Sequence, residues 1–149
     1  MNSSELADYY LILLFYMVKI FVNGTFDVLH PAHIMLLNYA KSLGDYLHVA
    51  IDADKRVTEK KGSSRPIFKQ EERKFFLVNL KAVDTVSFFA TDEELEKTIR
   101  EYAPDIMIVG SDWKGKPVIG SQFAKELKFY DRIENYSTTA TIQSIIDRR

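Results

Sequence analysis

Short apolar runs alternate with segments of helical spacing along most of this chain. The apolar runs predict buried strands at Val18–Asn23, Tyr46–Ile51, Val83–Phe89, Ile106–Val109 and Leu127–Ile133. The helical spacing predicts helices at Pro31–Leu43, Gln70–Leu80, Asp92–Tyr102 and Thr138–Asp147. The polar stretch Asp52–Phe68 is predicted to be a loop. Apolar strands that alternate with helices indicate a parallel sheet covered on both faces. We therefore predict a single α/β domain, Rossmann-like and doubly wound, with a five-stranded parallel sheet.

Residues 1–16 lie outside this alternation. The apolar run Leu11–Val22 is too short to span a membrane, which takes about twenty apolar residues. Glu5 and Asp8 precede the run, where a signal peptide would have basic residues. We interpret residues 1–16 as an N-terminal extension, either a short helix or a loose segment, and residues 17–149 as the domain. An apolar extension needs a neighbour to cover it, so a homodimer is expected.

Composition narrows the class of protein. The absence of cysteine in 149 residues excludes disulfides, thiol nucleophiles and Cys-ligated metal sites. The 20 Lys and Arg residues balance 21 Asp and Glu residues, so no net field favours nucleic acid or a membrane surface as a partner. A soluble domain of a reducing compartment, the cytoplasm, is the expectation, and function has to come from local motifs.

Ligands of such sheets bind beyond the carboxyl ends of the strands, and the loop after the first strand carries the strongest signal there. Gly24 permits a tight turn, and His30 and His33 fall on one face of the following helix start. Free N–H groups at that helix start, together with two imidazole donors, predict a phosphate site. Zinc is the weaker interpretation, because an H-x-x-H pair without cysteine or an H-E-x-x-H pattern is a poor metal signal.

Two segments carry a family resemblance. Gly24–His33 resembles the G-x-F-D-x-x-H-x-G-H signature of the cytidylyltransferase-like nucleotidyltransferases, and Tyr136–Thr139 resembles their second signature, at the start of the last helix. The resemblance extends from Val18 onward. One position departs from the pattern, because Ala32 stands where the signature has glycine, and its methyl group would narrow the approach of a nucleotide.

Subfamily features point two ways. Lys61–Ile67, Glu71–Arg73 and Ala82–Asp84 resemble the adenylyltransferase part of ADP-heptose synthases. Gly110–Lys116 and Arg132 are similar to glycerol-3-phosphate cytidylyltransferases. The first match is longer. It favours transfer of a nucleotide from ATP, with CTP as the alternative, to a phosphorylated sugar or polyol, with release of pyrophosphate.

The resemblance also implies roles for particular residues. His30 and His33 are expected to contact the triphosphate and to stabilise the charge that develops in the transition state. A catalytic lysine is expected in the loop after the second strand, where Lys60 or Lys61 fits and Lys61 is preferred. The small and cationic residues from Lys60 to Pro66 are typical of a mobile gate over the α-phosphate.

Nucleotide contacts are expected at Gly24, Thr25, Phe26, Asp27, Arg73, Gly110, Asp112, Trp113, Arg132, Ser137, Thr138 and Thr139. Mg²⁺ is expected as the cofactor, held mainly by the triphosphate, with Asp27 orienting a lysine or a metal-bound water. No protein metal ligand is predicted.

Several of these residues also have plain structural interpretations. Arg73 could pair with the adjacent glutamates, and Ser137–Thr139 could simply cap the last helix. Trp113 and Arg132 could be ordinary surface residues. For the chain as a whole, a nucleotide-binding regulatory module and a scaffold that uses the apolar extension remain as alternatives to the transferase.

Overall fold

The computed structural model describes residues 1–148. Its helices are α1 (Ser3–Tyr16), α2 (Pro31–Ser42), α3 (Asp54–Lys61), α4 (Gln70–Val78), α5 (Asp92–Tyr102) and α6 (Thr138–Asp147). Its strands are β1 (Lys19–Gly24), β2 (Tyr46–Asp52), β3 (Thr85–Phe89), β4 (Ile106–Gly110) and β5 (Glu126–Tyr130). Short 3-10 turns at Ser111–Trp113 and Ser121–Phe123 lie between β4 and β5.

The strands form one parallel sheet of order β3-β2-β1-β4-β5. The strand order reverses at β1, which pairs with β2 on one side and with β4 on the other. A crevice therefore opens between the carboxyl ends of β1 and β4, which is where sheets of this type bind ligands. The predicted five-stranded parallel sheet is confirmed.

Alternate residues of the strands fill the two faces of the sheet. Ile20 and Val22 of β1 belong to one buried cluster with Leu37 of α2, and Phe21 belongs to a second cluster with Ile99 of α5. This alternation follows from the two-residue period of a strand. Because both faces are apolar, each needs a layer of helices, and the predicted cover on both faces is confirmed.

One predicted loop is wrong in its first half. Within Asp52–Phe68, the structure forms helix α3, and only the part from Gly62 onward is a loop. The helix buries a single apolar residue, Val57, so no apolar period marks it in the sequence. Contacts distant in the chain hold it instead, above all the ion pair of Asp54 with Arg73, whose Oδ1–Nη2 distance is 2.9 Å.

Helix α1 differs from the rest of the fold because every one of its residues is exposed. Its N-cap is complete: the Asn2 side chain accepts from the Glu5 N–H at 2.9 Å, and the Glu5 carboxylate accepts from the Asn2 N–H at 2.8 Å. Of the two forms expected for the extension, the helix is the one observed. Among residues 1–148, no helix is long and apolar enough to cross a bilayer.

Candidate active site

The loop after β1 is shaped by its backbone. Phe26 and Val28 adopt positive φ angles of 52° and 50°, which are uncommon for residues with a side chain. The Phe26 ring folds back over Gly24, where a Cβ atom would lie only 3.0 Å from the ring. Glycine at position 24 therefore lets the buried Phe26 close the turn, and this turn carries the chain to the start of α2.

His30 and His33 form a stacked pair at that helix start. Their ring centroids lie 3.7 Å apart with planes inclined by 19°, and the Phe26 ring supports His33 at 5.2 Å. The His30 backbone N–H donates to Nδ1 of His33 at 3.3 Å. Because Nδ1 is an acceptor, the proton of the neutral His33 ring is on Nε2. The arrangement gives a fixed hydrogen-bond donor beside the crevice.

Both imidazoles favour the neutral form. Burial lowers the pKa of His33 to about 4, with help from the nearby His30 and Lys61 and against the opposing effect of Asp27. Burial and the charge of Arg132 lower the pKa of His30. At neutral pH the pair therefore offers N–H donors rather than fixed positive charges.

Asp27 organises the loop that follows α3. Asp27 is buried, with 1% of its surface exposed, and its carboxylate accepts from Arg65 Nε at 3.0 Å, from the Ile67 N–H at 2.7 Å and from the Phe68 N–H at 2.9 Å. Its backbone carbonyl accepts from the Thr138 hydroxyl at 2.6 Å, which ties the start of α6 to the same residue. Both carboxylate oxygens are committed, so Asp27 does not fit the expected role beside a metal-bound water.

Arg73, expected to contact nucleotide, is fully buried beneath the site. Its guanidinium donates to the Thr25 carbonyl at 2.8 Å, to the Phe68 carbonyl at 3.0 Å and to Asp54. The ion-pair partner of Arg73 is therefore Asp54 and not one of the adjacent glutamates. Arg73 joins the β1 loop, α3 and the loop before α4, and so it positions the site from below.

A first cleft, the β2-side cleft, opens at the carboxyl ends of β2, β1 and β4, with a volume of about 220 Å³. Its polar lining is Asn23, Gly24, Thr25, Asp52, Arg56 and Lys60, and its other lining residues are Phe89, Leu95, Met107, Val109, Gly110, Trp113, Val118 and Ile119. Asp52 accepts from the Thr25 hydroxyl at 2.9 Å and from Arg56 Nε at 2.8 Å. Oδ1 of Asn23 is buried without a hydrogen-bond partner among the described residues, so this cleft presents an unused acceptor.

A second cleft, the α2-side cleft, has a volume of about 180 Å³ on the other side of the crevice. It is lined by His30, Ala32, His33, Leu36, Gly110, Asp112, Tyr130, Asp131, Arg132, Ile133 and Tyr136. Gly110 lines both clefts, so they meet at the end of β4. The Tyr136 ring lies nearly parallel to His30, with centroids 6.1 Å apart, and forms the wall nearest to α6.

A third depression, the α3–α6 groove, is lined by Lys61, Ser64, Arg65, Thr139, Ile142 and Gln143 and has a volume of about 420 Å³. Burial, and after it the charge of Arg65, lower the pKa of Lys61. The two neighbouring lysines line different sites, because Lys61 lines this groove whereas Lys60 lines the β2-side cleft. At the start of α6, the Ser137 side chain accepts from the Ala140 N–H at 3.0 Å, so the predicted capping role is present.

The structure thus distributes the predicted residues over adjoining sites. Gly24, Thr25 and Trp113 line the β2-side cleft, whereas the two histidines, Asp112 and Arg132 line the α2-side cleft. Phe26 supports His33 from inside the fold. Asp52, Arg56, Arg65 and Asn23 were not among the predicted site residues. Asp52 and Asn23 could have been found, since a polar residue that ends a buried strand faces the ligand edge.

Comparison with known proteins identifies the family. Residues 21–143 match the family described as cytidylyltransferase-like. The chain belongs to this family of nucleotidyltransferases. The match covers the whole sheet except the first two residues of β1, and it confirms the resemblance seen in the Gly24–His33 and Tyr136–Thr139 segments.

The curated relatives are similar over most of the chain. The bifunctional protein HldE of Sulfurimonas denitrificans is 46% identical over 126 residues, which is 85% of this chain and 26% of the relative. The bifunctional protein HldE of Nitratiruptor sp. is 44% identical over 83% of this chain and 27% of the relative. That of Helicobacter pylori (strain Shi470) is 43% identical over 85% of this chain and 27% of the relative. The chain therefore spans about a quarter of the length of the curated relatives that it matches.

A solved structure agrees with the fold. The crystal structure of the lipopolysaccharide core biosynthesis protein from Thermoplasma volcanium superposes with a TM-score of 0.61 at 30% identity. The match covers 81% of this chain and 99% of that chain. Of the two subfamilies suggested by the sequence, the relatives support the adenylyltransferase part of ADP-heptose synthases.

Proposed function

We propose that this domain transfers the adenylyl group of ATP to a phosphorylated sugar of the heptose 1-phosphate type and releases pyrophosphate. The observation that carries the proposal is the stacked, neutral His30–His33 pair, which lines the α2-side cleft at the carboxyl ends of the strands. The similarity to the HldE proteins supports the ADP-heptose type of substrate over the glycerol phosphate type.

The composition of the clefts supports one assignment of substrates. The α2-side cleft has the flat Tyr136 ring and the Arg132 charge beside the histidines, which suits a nucleotide. The β2-side cleft combines the cations Arg56 and Lys60 with the unused acceptor of Asn23, which suits a phosphorylated polyol. An acceptor bound there would present its phosphate near Gly110, where the clefts join.

The chemistry needs no protein nucleophile. A phosphate monoester has a second pKa of about 6, so the acceptor is already ionised at neutral pH. One of its oxygens attacks the α-phosphorus of ATP, the bond from that phosphorus to the bridging oxygen breaks, and the electron pair leaves with pyrophosphate. The protein has to align the two phosphates and to stabilise the developing charge. His33 Nε2–H and the neighbouring His30 are placed for that task, and Lys61 would supply positive charge.

Mg²⁺ would arrive with the triphosphate. Among residues 1–148, no group of three or more His, Cys, Asp or Glu side chains is arranged to hold a metal ion. Asp27 and Asp52 are already engaged with protein donors. We therefore assign no residue of this chain to the metal.

A nucleotide screen followed by a turnover assay tests the proposal. The melting temperature should rise with ATP and Mg²⁺ more than with CTP, GTP or UTP, because binding adds RT ln(1 + [L]/Kd) to stability. Pyrophosphate should then be released with ATP and heptose 1-phosphate but not with glycerol 3-phosphate. Preference for CTP with glycerol 3-phosphate would reverse the substrate assignment. Binding of ATP without turnover of any acceptor would favour the regulatory module.

Kinetic order gives an independent check. Because the acceptor supplies the nucleophile, steady-state kinetics should show a ternary complex rather than ping-pong exchange. A nucleotidylated protein detected by intact mass spectrometry would contradict this mechanism.

The proposal includes a homodimer in the cytoplasm, where ATP is available. The exposed apolar side chains of α1, among them Phe15 at 90% exposure, need cover. Light scattering should show a dimer for the full chain and weaker association for residues 17–149, with transfer activity kept in both. A monomeric full chain at micromolar concentration would contradict the dimer.

A further inference from the structure

Arg65 is held in place by only part of its guanidinium. Its side chain is 11% exposed, and Nε donates to the buried carboxylate of Asp27 at 3.0 Å. Nη2 is buried and has no hydrogen-bond partner among the described residues. A buried donor without a partner destabilises the folded state and therefore needs an explanation.

The surroundings of Arg65 indicate what that partner would be. Arg65 and Lys61 line the same α3–α6 groove, and the other lining residues, Ser64, Thr139, Ile142 and Gln143, bring no carboxylate. Asp52 and Asp27 are the carboxylates whose charges act on the pKa of Lys61. Both already accept hydrogen bonds from protein groups. Asp27 pairs only with Nε of Arg65, so the unpaired Nη2 of Arg65 and the Lys61 ammonium, together with the side chains of Thr139 and Gln143, fit an anion.

The groove also lies close to the proposed reaction centre. The charge of Lys61, which lines the groove, lowers the pKa of His33, so Lys61 is near the imidazole pair. Thr139 lies in the first turn of α6, next to Thr138, whose hydroxyl is fixed to the Asp27 carbonyl. An anion in the groove would therefore lie against α6, and the cations of the β2-side cleft, Arg56 and Lys60, would not line its site.

We propose that Arg65 binds the β- and γ-phosphates of the nucleotide and the pyrophosphate that they become. This assignment rests on the proposed transferase function and adds a residue to it. The planar guanidinium suits the task, because with Nε occupied by Asp27 its remaining N–H groups can still pair with phosphate oxygens in a fixed orientation. Asp27 then has a second effect, since it aims the guanidinium as well as anchoring the loop.

The test compares ligands with and without the pyrophosphate portion. Calorimetry should measure the affinity of the full chain for pyrophosphate, ATP and AMP, in the wild type and in Arg65→Lys. We expect affinity for pyrophosphate and ATP to fall about 10- to 100-fold, as for loss of a charge-assisted hydrogen bond, while affinity for AMP stays within about twofold. The matched control is Arg56→Lys in the other cleft, which should leave pyrophosphate affinity unchanged and raise the KM for the sugar phosphate.

Two outcomes would overturn the assignment. One is unchanged pyrophosphate affinity in Arg65→Lys, and the other is an equal loss for ATP and AMP together with a lower melting temperature, which a purely structural role would give. If the variant does not fold, nuclear magnetic resonance of the arginine Nε–H groups in the wild type replaces it. Pyrophosphate should then shift the Arg65 signal and AMP should not, and an unmoved Arg65 signal contradicts the proposal. Failure of the transferase itself is a separate result, because it would appear as wild-type protein that binds ATP and releases no pyrophosphate with any acceptor.

Discussion

The polar side chains at the two ends of the parallel strands, the amino edge and the carboxyl edge of the sheet, differ in how completely they are hydrogen-bonded. At the amino edge, the carboxylates of Asp84 and Asp105 are paired. Asp84 accepts from the Leu47 N–H at 2.7 Å and from Lys41 at 2.6 Å, and Asp105 accepts from the Lys19 N–H at 2.7 Å and from Lys125 at 2.6 Å. Burial alone would raise the pKa of Asp105, but the hydrogen bonds from Lys125 and the Lys19 N–H outweigh it and lower the pKa.

At the carboxyl edge, hydrogen bonding is incomplete. Asn23 Oδ1, His30 Nδ1 and Arg65 Nη2 are buried there without partners among the described residues. Buried polar atoms in folded proteins are nearly always paired, so unpaired ones at one edge mark where a ligand would complete the structure. The amino edge, by contrast, uses its polar groups to stabilise the fold. Variants at matched positions of the two edges can test this difference.

The largest effect is expected for Asp27→Asn. The buried carboxylate holds Arg65 and two backbone N–H groups, and loss of its charge should lower the free energy of unfolding by about 3–5 kcal/mol. The amino-edge control, Asp105→Asn, should cost only about 1–2 kcal/mol. Urea unfolding at pH 7 measures both. Equal losses would contradict the view that Asp27 is the organising residue of the site.

The next effect concerns the histidines. His33→Ala or His30→Ala should lower kcat by about 10²–10³-fold, because each removes a donor placed for the developing charge. The control is His48→Gln, since His48 lies on β2 and bonds to Thr85 and Ser87 at 2.8 Å, away from the clefts. His48→Gln should lower stability and leave kcat close to the wild-type value. Losses below about threefold in both site variants would remove the histidines from the mechanism.

A smaller effect, about tenfold on kcat, is expected for Lys61→Ala. The lysine contacts charge that grows in the transition state, so kcat should fall more than the KM for ATP rises. Lys125→Ala at the amino edge removes an exposed partner of Asp105 and should change stability by at most about 1 kcal/mol without affecting turnover. Lys60→Ala should act on the KM of the acceptor, because Lys60 lines the other cleft. No change in kcat for Lys61→Ala would contradict its catalytic role.

The smallest effect is a pH dependence. The pKa of His33 is about 4 in the folded protein, below the ordinary histidine value of 6.5, so between these values the unfolded chain binds a proton that the folded chain excludes. The stability linked to His33 is therefore fully present above about pH 6.5 and is lost as the pH falls toward 4. Partial exposure limits the loss between pH 7 and pH 5 to roughly 1 kcal/mol. His33→Asn should show a smaller drop in urea unfolding over this range, and an identical drop would contradict the shifted pKa.

The apolar pattern was sufficient to predict the sheet, because the central strands β1, β2 and β4 contain consecutive buried residues and are therefore mostly apolar. Helix α5 was predicted with the bounds that the structure shows, since Thr91 caps it and Leu95 and Ile99 mark its buried face. The His30–His33 pair was also accessible, because three residues along a helix start suffice to bring the rings together. In each case, residues close together in the sequence were sufficient for the prediction.

Contacts between distant segments were not accessible in the same way. Helix α3 depends on Asp54 meeting Arg73, nineteen positions further along the chain, and a polar octet gives no period that would reveal it. For the same reason Arg73 was assigned to nucleotide and Arg65 was overlooked. Only the fold shows that Arg73 is fully buried and hydrogen-bonded to protein groups, whereas Arg65 has an N–H donor group without a partner among the described residues.

The position of Trp113 has a practical consequence. It is the only tryptophan in the chain, it lines the β2-side cleft, and 45% of its surface is exposed. Its intrinsic fluorescence therefore reports on ligand binding in that cleft, without any label. A sugar phosphate that displaces water from the indole should shift the emission toward the blue, and a stopped-flow instrument could time the arrival of the acceptor separately from that of the nucleotide.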